Sequence, residues 1–374
     1  MPELGHLFMF GGQSKKYTGA FIGVSVAVVA VGVYYVMYKR RKSDFPYWLR
    51  SCSKGSGKGD GEDASPADKL KKFGYHFVNG QLRQISNGDT FQFEAKPGDK
   101  SYNQKRYEAI GDVITEFVYD LLQSEAGLKK IDIPFDRLKD EVGGFFFASA
   151  NARKCEKLLV LIHGTGVVRA GQWSRKLIMN EGVERGTQLP YVRRAMAEKY
   201  GVIVLNTNQN RAVDQRSGTE KSIRGSENAV NHAVYVWENY VEKCKAKRIA
   251  IVAHSFGGYA TVKLAEKKSG DFRKRVFAVC FTDSAHGGPG RGAGWNWLKT
   301  VGRNWVTSSL PLDAIIEDRW NNDVEQVSAG VSVHEETSPA AIDSVFGFIH
   351  RMENEEHRME AGGASKTAGS SDKD

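Results

Sequence analysis

The chain has 374 residues, and 41% of them are hydrophobic, an ordinary fraction for a globular protein that excludes a wholly disordered chain. Its formal net charge is +9, and the segment 69–352 holds 41 Lys and Arg against 32 Asp and Glu, so the expected folded part is itself basic. The cysteines lie far apart without a CxxC spacing, which argues against a disulfide-stapled secreted domain and favours a reducing compartment. They are Cys52, Cys155, Cys244 and Cys280.

An apolar stretch near the N-terminus predicts a membrane-spanning helix over 17–38, a signal anchor that follows a short segment, 1–16. Residues 18–38 carry no charge and are long enough to cross a bilayer. Three tyrosines and a basic cluster at 39–42 close the stretch, whereas only two lysines precede it. By the positive-inside rule we expect a single-pass membrane protein whose domain faces the cytosol. A targeting segment is the alternative.

The segments around this helix and the domain have simpler compositions. Gly19, Gly23 and Ala27 form a row of small residues, a weak indication that the helix pairs into a homodimer. Residues 39–68 are first basic and then rich in Gly and Ser, which indicates a juxtamembrane segment and a flexible linker. Residues 353–374 are predicted to form a disordered tail.

The segment 69–352 has the pattern of an α/β domain. Hairpins are predicted at Asn79-Gly80 and at Asn87-Gly88, and an amphipathic helix over 103–124. Strand-like runs then alternate with helical stretches, which predicts a mostly parallel sheet with helices on both faces. The strand-like runs are GGFFFAS, KLLVLIHG, GVIVLNTN, RIAIVAHS, RVFAVCFTDS, NWVTSS and VEQVSAG. No GxGxxG follows an early strand, so a dinucleotide cofactor is not expected.

The strongest local motif is IAIVAHSFGGYA, a buried strand, a sharp turn at Ser255 and then a helix. A nucleophile elbow needs small residues around its serine because strand and helix pass very close there. Ala253 replaces the first glycine of GxSxG, and Gly257 and Gly258 keep the second position open. This pattern favours an α/β-hydrolase-like fold with Ser255 as nucleophile over the alternative, a serine that merely caps the helix.

Two further loops complete a predicted catalytic site. The strand KLLVLI runs into His163-Gly164-Thr165-Gly166, where a hydrolase loop donates a backbone N–H to the oxyanion. The predicted oxyanion residues are Gly164, Thr165 and Phe256.

His334 follows the last strand, where the catalytic base belongs. Asp313 is favoured slightly over Asp283 as the acid that orients it, and either keeps the chain order Ser, Asp, His. His286 is a second polar group in the site or a loop histidine. No metal ligand pattern appears.

Basic residues are predicted at both ends of the sheet. Loops near Ser255 carry Arg169, Arg175 and Arg211, a rim that suits negatively charged ligands unless it is only solvated surface. At the other end, basic residues precede three strands that lie side by side in a hydrolase sheet. This basic face would attract anionic lipids or RNA, or else only keep the domain soluble. Its residues are Lys245, Lys247, Arg248, Arg273, Lys274 and Arg275.

Several phrases in one order are similar to a known family: GVVRAGQW, GVIVLNTN, HAVYVW, IAIVAHSFGG, RVFAV, TDSAH, NWVTSSLPLD and VSAG…HEETS. Over about 70–350 the chain resembles the argonaute-binding protein two domain, most closely its animal cotranscriptional-regulator branch. The resemblance implies an α/β-hydrolase-like fold and links to argonaute proteins, small-RNA silencing, heterochromatin or splicing control. The family's candidate nucleophile corresponds to Ser255.

Two functions of different classes are therefore expected. The first is a membrane-anchored serine hydrolase that acts on esters or thioesters through an acyl-enzyme. The second is a non-catalytic adaptor that uses the same fold to bind argonaute or RNA-processing partners. Direct nucleic-acid binding is a third interpretation and rests on charge alone, because no RRM, KH or zinc signature is present.

Overall fold

The computed structural model describes residues 64–286, 292–317 and 323–368, with side chains as far as residue 355. The predicted membrane-spanning segment 17–38, its small-residue row and most of the linker lie outside the described residues. Among the helices that are described, none combines the length and the apolar character that crossing a bilayer requires.

The N-terminal part of the domain contains the predicted hairpin and the predicted long helix. A short helix, α1 (Pro66–Lys72), leads into β1 (Tyr75–Val78), β2 (Gln81–Gln84) and α2 (Lys100–Ser124). Asn79 and Gly80 form the turn of the hairpin with φ of 49° and 75°, the left-handed values that favour this dipeptide. At Asn87-Gly88 the chain turns back antiparallel to β2 as predicted, but only an isolated bridge pairs the two sides and no second strand forms.

Eight strands form the central sheet, and every strand-like run of the sequence lies in it. The order is β12-β11-β10-β9-β5-β6-β4-β3; β4 pairs antiparallel with both β3 and β6, and all other neighbouring strands are parallel. The strands are β3 (Leu128–Ile133), β4 (Gly144–Ser149), β5 (Lys157–Ile162), β6 (Gly201–Val204), β9 (Arg248–His254), β10 (Val276–Thr282), β11 (Gly302–Val306) and β12 (Glu325–Ser328). Strand β3 was not expected, because LKKIDI has too few apolar residues to show a strand pattern.

Helices cover both faces of this sheet, so the predicted α/β fold is confirmed. Alternate side chains of β5 enter two separate hydrophobic clusters, one on each face. The remaining elements are α3 (Arg175–Glu181), α4 (Val183–Gly186), α5 (Leu189–Ala197), the hairpin β7 (Arg211–Val213) and β8 (Glu220–Ser222), α6 (Ala229–Val236) with a π-helical turn (Trp237–Val241), α7 (Phe256–Lys267), α8 (Ser269–Arg275), α9 (Gly292–Val301), a 3₁₀ turn (His334–Glu336), α10 (Thr337–Ala340) and α11 (Ile342–Ala368).

The C-terminal helix reaches further than the sequence pattern predicts. Helix α11 continues to Ala368, through most of the segment for which we expected a disordered tail. Its residue Glu353 accepts contacts from Lys157 at 3.1 Å and from the Tyr200 hydroxyl at 3.2 Å, so the start of that segment packs on the domain. The run of Glu, Arg, Met and Ala there has high helix propensity.

Because most strands are parallel, the sheet has two distinct edges that matter for function. We call the end where β5, β6, β9, β10 and β11 finish the carboxyl edge, and the end where they begin the amino edge. In parallel α/β sheets, loops at the carboxyl edge build the binding site. Ser255 lies on such a loop.

Candidate functional site

Ser255 occupies a strained turn between β9 and α7. Its φ of 53° and ψ of −123° lie in a region that residues with a side chain rarely adopt. The backbone of α7 passes close to β5, since a Cβ added at Gly257 would lie 2.6 Å from the Ile162 carbonyl oxygen. The Ser255 hydroxyl makes no capping hydrogen bond to α7, so the alternative of a helix-capping serine is wrong.

The loop after β5 lies against this turn. A Cβ added at Gly164 would be only 3.0 Å from the Ser255 Cβ, which explains why a glycine is needed there. The Asn208 amide donates hydrogen bonds to the carbonyls of Gly164 at 2.9 Å and Val168 at 3.0 Å and holds the loop in place. Sequence reasoning missed Asn208, although the polar run NTN directly after β6 was the available signal.

The two predicted N–H donors to the oxyanion are the residues that follow Ser255 and Gly164 in the chain. Phe256 is the first residue of α7, so its backbone N–H has no partner within the helix. Thr165 is exposed in the loop that begins at Gly164. Their role as an oxyanion hole stays a prediction.

The His334 imidazole is paired with Asp283 at the carboxyl edge. Nδ1 of His334 lies 2.7 Å from the Asp283 carboxylate, which also accepts the Thr307 backbone N–H at 3.1 Å. Burial acts to raise the pKa of Asp283, but the His334 and Thr307 hydrogen bonds outweigh it and hold the pKa below its usual value. Asp283 itself has a φ of 48°, so this loop is also strained.

Asp313, the acid that the sequence slightly favoured, does not reach His334. Its carboxylate accepts the Trp305 indole N–H at 2.9 Å and the Ser344 hydroxyl. These contacts tie the loop after β11 to α11 and leave Asp283 as the acid beside the imidazole. Both aspartates follow a strand at the same edge, so sequence position could not separate them.

Ser255 and His334 lie at the same edge of the sheet but are not hydrogen-bonded to each other. Among the described residues, no hydrogen bond links the Ser255 hydroxyl to His334, whose side chain is 44% exposed. The ring of His254 packs 4.7 Å from the His334 ring, centroid to centroid. Burial, aided by the neighbouring His334, lowers the pKa of His254 to about 3, so this second histidine stays neutral. The site is thus a histidine–aspartate pair beside an unpaired elbow serine.

A second polar network holds the loops behind the site. His232 accepts the Asn206 backbone N–H at 3.1 Å and contacts the Ser226 hydroxyl at 2.9 Å. Asn206 in turn accepts the Ala170 N–H at 3.0 Å. Burial lowers the pKa of His232 to about 3. The sequence pattern did not single out these residues.

His286 links two segments of the chain through hydrogen bonds and is not a free loop residue. Its Nδ1 lies 2.7 Å from the Ser284 hydroxyl and its Nε2 2.9 Å from the Asp323 carboxylate. It is buried and connects the segment after β10 to the segment before β12. Among the described residues, no cluster of three or more His, Cys, Asp or Glu side chains offers a metal site.

The arginines of the predicted basic rim mostly bind carboxylate or carbonyl groups of the protein itself. Arg175 is only 5% exposed, and its guanidinium lies 3.2 Å from Asp112 and 3.3 Å from the Val167 carbonyl, so it does not line a ligand site. Arg169 donates to the Val168 carbonyl at 3.0 Å. Arg211 donates to the Glu220 carbonyl at 2.9 Å across the β7–β8 hairpin. Their interactions hold loops in place, as charged hydrogen bonds to backbone carbonyls do.

The fold and these loops define an α/β-hydrolase-like domain with a serine, a histidine and an aspartate at its carboxyl edge. The family model of the Arb2 domain, built from sequences, matches residues 66–312 of this chain. The chain therefore belongs to the Arb2 domain family, which confirms the resemblance seen in the sequence. It is 39% identical to the mouse cotranscriptional regulator ARB2A, over 75% of this chain and 80% of that protein. A Dictyostelium discoideum homologue of ARB2A is 30% identical over 75% of this chain and 79% of its own length.

Among solved structures, the histone deacetylase Clr3 is similar at 15% identity and a TM-score of 0.44, covering 69% of this chain and 45% of that one. The epoxide hydrolase CorEH is similar at 12% identity and a TM-score of 0.35, covering 60% of this chain and 99% of that one.

The predicted localisation, a single-pass membrane protein with its domain facing the cytosol, is wrong. The mouse protein and its human counterpart, 38% identical to this chain, are cotranscriptional regulators. The apolar segment that prompted the prediction is outside the described residues. Hydropathy and flanking charge, the only basis for that prediction, do not report a protein's role.

Proposed function

We propose that the protein is a cotranscriptional regulator and acts as a non-catalytic adaptor for argonaute or RNA-processing partners in small-RNA silencing, heterochromatin or splicing control. One observation carries the proposal: the similarity to ARB2A regulators extends over three quarters of this chain. The geometry of the site supports the proposal. Within the described part of the chain, Ser255 has no hydrogen bond to His334, the histidine that is paired with Asp283 at the same edge.

The adaptor proposal is tested with the purified full-length chain and a Ser255→Ala variant. We expect both proteins to bind a purified argonaute protein with the same affinity, measured by calorimetry. In cells that lack the endogenous chain, both should restore the same pattern of splice isoforms. Loss of isoform control by a folded Ser255→Ala protein would overturn the adaptor role, since an adaptor needs no nucleophile.

A serine hydrolase is the second candidate, favoured by one specific observation. The strained Ser255 turn lies at the same edge as the His334–Asp283 pair, whose 2.7 Å contact fixes the imidazole so that its other nitrogen is free for a proton. Its substrates would be esters or thioesters.

In this mechanism His334 takes the Ser255 hydroxyl proton as the oxygen attacks the substrate carbonyl. The oxyanion is held by the backbone N–H groups of Thr165 and Phe256. The tetrahedral intermediate then expels the alcohol or thiol, which receives the proton from His334, and leaves an acyl-serine. Water, deprotonated by His334, hydrolyses that ester and restores the free serine. This requires the Ser255 Oγ and the His334 ring to approach hydrogen-bond distance when substrate binds.

The hydrolase candidate is tested by labelling the intact protein with a fluorophosphonate probe. If the hydrolase candidate is right, the wild type is labelled and neither Ser255→Ala nor His334→Ala is, because a serine without its base is a poor nucleophile. Circular dichroism checks that each variant is folded. A folded wild type that stays unlabelled removes the hydrolase candidate.

A further inference from the structure

Three basic stretches meet at the amino edge, far from Ser255 along the strands. Strand β9 lies between β5 and β10, and all three run parallel, so the residues that precede them share one edge. Backbone hydrogen bonds fasten the stretch before β9 to the stretch before β5. The Lys245 N–H donates to the Arg153 carbonyl at 3.1 Å, and the Lys247 N–H to the Glu156 carbonyl at 3.0 Å. The basic face is therefore one continuous surface.

Arg275 belongs to the framework of this surface and not to its free charge. Its side chain is 10% exposed and pairs with Asp271 at 2.6 Å. It also donates to the carbonyls of Val241 at 3.2 Å and Ala246 at 3.1 Å, which clamps α8 to the loop before β9. Arg248 is only partly exposed and is also engaged. Of the residues predicted for the basic face, Arg248 and Arg275 are thus engaged within the protein.

Other cations on this surface are exposed and have no ion-pair partner among the described residues. These are Lys154, Lys243, Lys245, Lys247, Arg273 and Lys274. Like charges held on one face repel each other, and a bound polyanion removes that repulsion and releases its own counterions. The surface therefore offers several free cations to a phosphate backbone.

An aromatic groove adjoins the same surface. It has a volume of about 240 Å³ and is lined by Arg273, Asn296, Trp297 and Thr300, together with Ala293. The Trp297 indole N–H donates to the carbonyl of Val276, the first residue of β10, at 2.7 Å, so the ring is anchored at the amino edge. Arg273 lines the groove and also belongs to the cationic surface. A half-buried indole beside an amide, a hydroxyl and an arginine suits an unstacked nucleobase.

We propose that the amino edge binds single-stranded RNA. The exposed lysines and Arg273 hold the phosphates, and one base stacks on Trp297 within the groove. A lipid surface would satisfy the cations but would leave this groove without a suitable occupant. The site lies at the opposite edge from Ser255 and depends neither on catalysis nor on binding a protein partner.

The test measures fluorescence anisotropy of a labelled single-stranded RNA of about 20 nucleotides with the full-length protein at about 50 and 150 mM salt. We expect binding that weakens steeply with salt. Simultaneous reversal of Lys245, Lys247 and Lys274 to Glu should weaken it at least about tenfold. The matched control reverses Lys72, Lys100 and Lys139, three exposed lysines away from this surface, and should stay within about twofold. Equal binding by the two triple variants would overturn the proposal.

Further arms separate RNA from other anions. Trp297→Leu should weaken RNA binding about tenfold and leave inorganic polyphosphate binding unchanged, because only the base uses the indole. Should that variant not fold, unlabelled single-stranded RNA must compete better than a duplex of the same sequence. The proposal is wrong if duplex and single strand compete equally, or if phosphatidylserine vesicles bind and RNA does not. Binding of purified argonaute is measured separately, so either proposal can fail alone.

Discussion

The two edges of the central sheet both carry many basic side chains, but they use them differently. Near the carboxyl edge the cations are paired: Lys221 lies 2.5 Å from Asp214, and Arg224 lies 2.9 Å from Asp136 and 2.7 Å from Glu141. At the amino edge a group of lysines has no such partners in the described structure. The first arrangement holds loops around Ser255, and the second leaves charge available to a partner.

This difference shows that a count of charges does not reveal what they do. An exposed ion pair contributes little free energy, but several of them fix the relative positions of loops. An unpaired cluster of like charges lowers stability through mutual repulsion and attracts a partner of opposite charge through its field. The charges at the carboxyl edge thus fix the positions of loops, and those at the amino edge are free to attract an anionic partner. The following predictions test that contrast.

The largest expected effect is on the geometry of the carboxyl edge. Gly257→Ala would place a Cβ 2.6 Å from the Ile162 carbonyl and 2.8 Å from the His163 carbonyl, both backbone atoms that cannot move aside. We expect a loss of about 3 kcal/mol or more in the free energy of unfolding, measured in urea. Gly270→Ala is the matched control, because open space surrounds it, and should be neutral or stabilising by up to about 1 kcal/mol. Equal losses of unfolding free energy in the two variants would contradict the close approach of Gly257 to the backbone after β5.

The second prediction separates the two aspartates at the carboxyl edge. Where Ser255 reacts with a fluorophosphonate, Asp283→Asn should slow labelling at least about 100-fold, because His334 loses the carboxylate that orients it. Asp313→Asn keeps a carbonyl oxygen that can accept from Trp305, and it changes a side chain that is not paired with His334, so the labelling rate should stay within about threefold of the wild type. Equal rates for the two variants would show that the His334–Asp283 contact plays no part in reactivity.

The third prediction divides the amino edge into its framework and its free charge. Arg275→Gln leaves three backbone carbonyls and Asp271 without their donor, and we expect a loss of about 2 kcal/mol in unfolding free energy. Arg273→Gln, two residues earlier on the exposed side, should change stability by less than about 0.5 kcal/mol. Chemical denaturation measures the unfolding free energy of both variants. Similar losses for the two would mean that Arg275 does not hold α8 against the loop before β9.

The smallest effect concerns pH and the buried histidines behind the carboxyl edge. Burial lowers the pKa of His232 to about 3 from an ordinary 6.5. Below pH 6.5 the unfolded chain takes up a proton that the folded chain refuses, so this stability is present above pH 6.5 and is lost as the pH falls toward 3. His232 should account for a loss of about 1 kcal/mol between pH 6.5 and about 5.5. In His232→Gln the loss over that interval should be smaller by this amount; an unchanged slope would mean that His232 binds as many protons in the folded chain as in the unfolded chain.

Much of the fold and part of the site were predictable from local pattern. Strands such as β5 and β9 are buried on both faces and read as continuous apolar runs, so they were recognisable without any contact information. The elbow at Ser255 was recognisable because close packing of strand and helix demands glycines at 257 and 258. Strand β3 was missed because an antiparallel strand with only three apolar residues lacks that pattern.

By itself the sequence determined the α/β class, the family, the elbow at Ser255 and the basic runs before β5, β9 and β10. These depend on neighbouring residues, whose spacing and steric needs are written locally. Only the tertiary structure decided that Asp283 and not Asp313 meets His334, that Arg175 and Arg275 are buried in the framework, and that a groove containing Trp297 adjoins the free lysines. Those outcomes depend on contacts between residues distant in the chain, which the strand order and loop packing bring together and which no local pattern specifies.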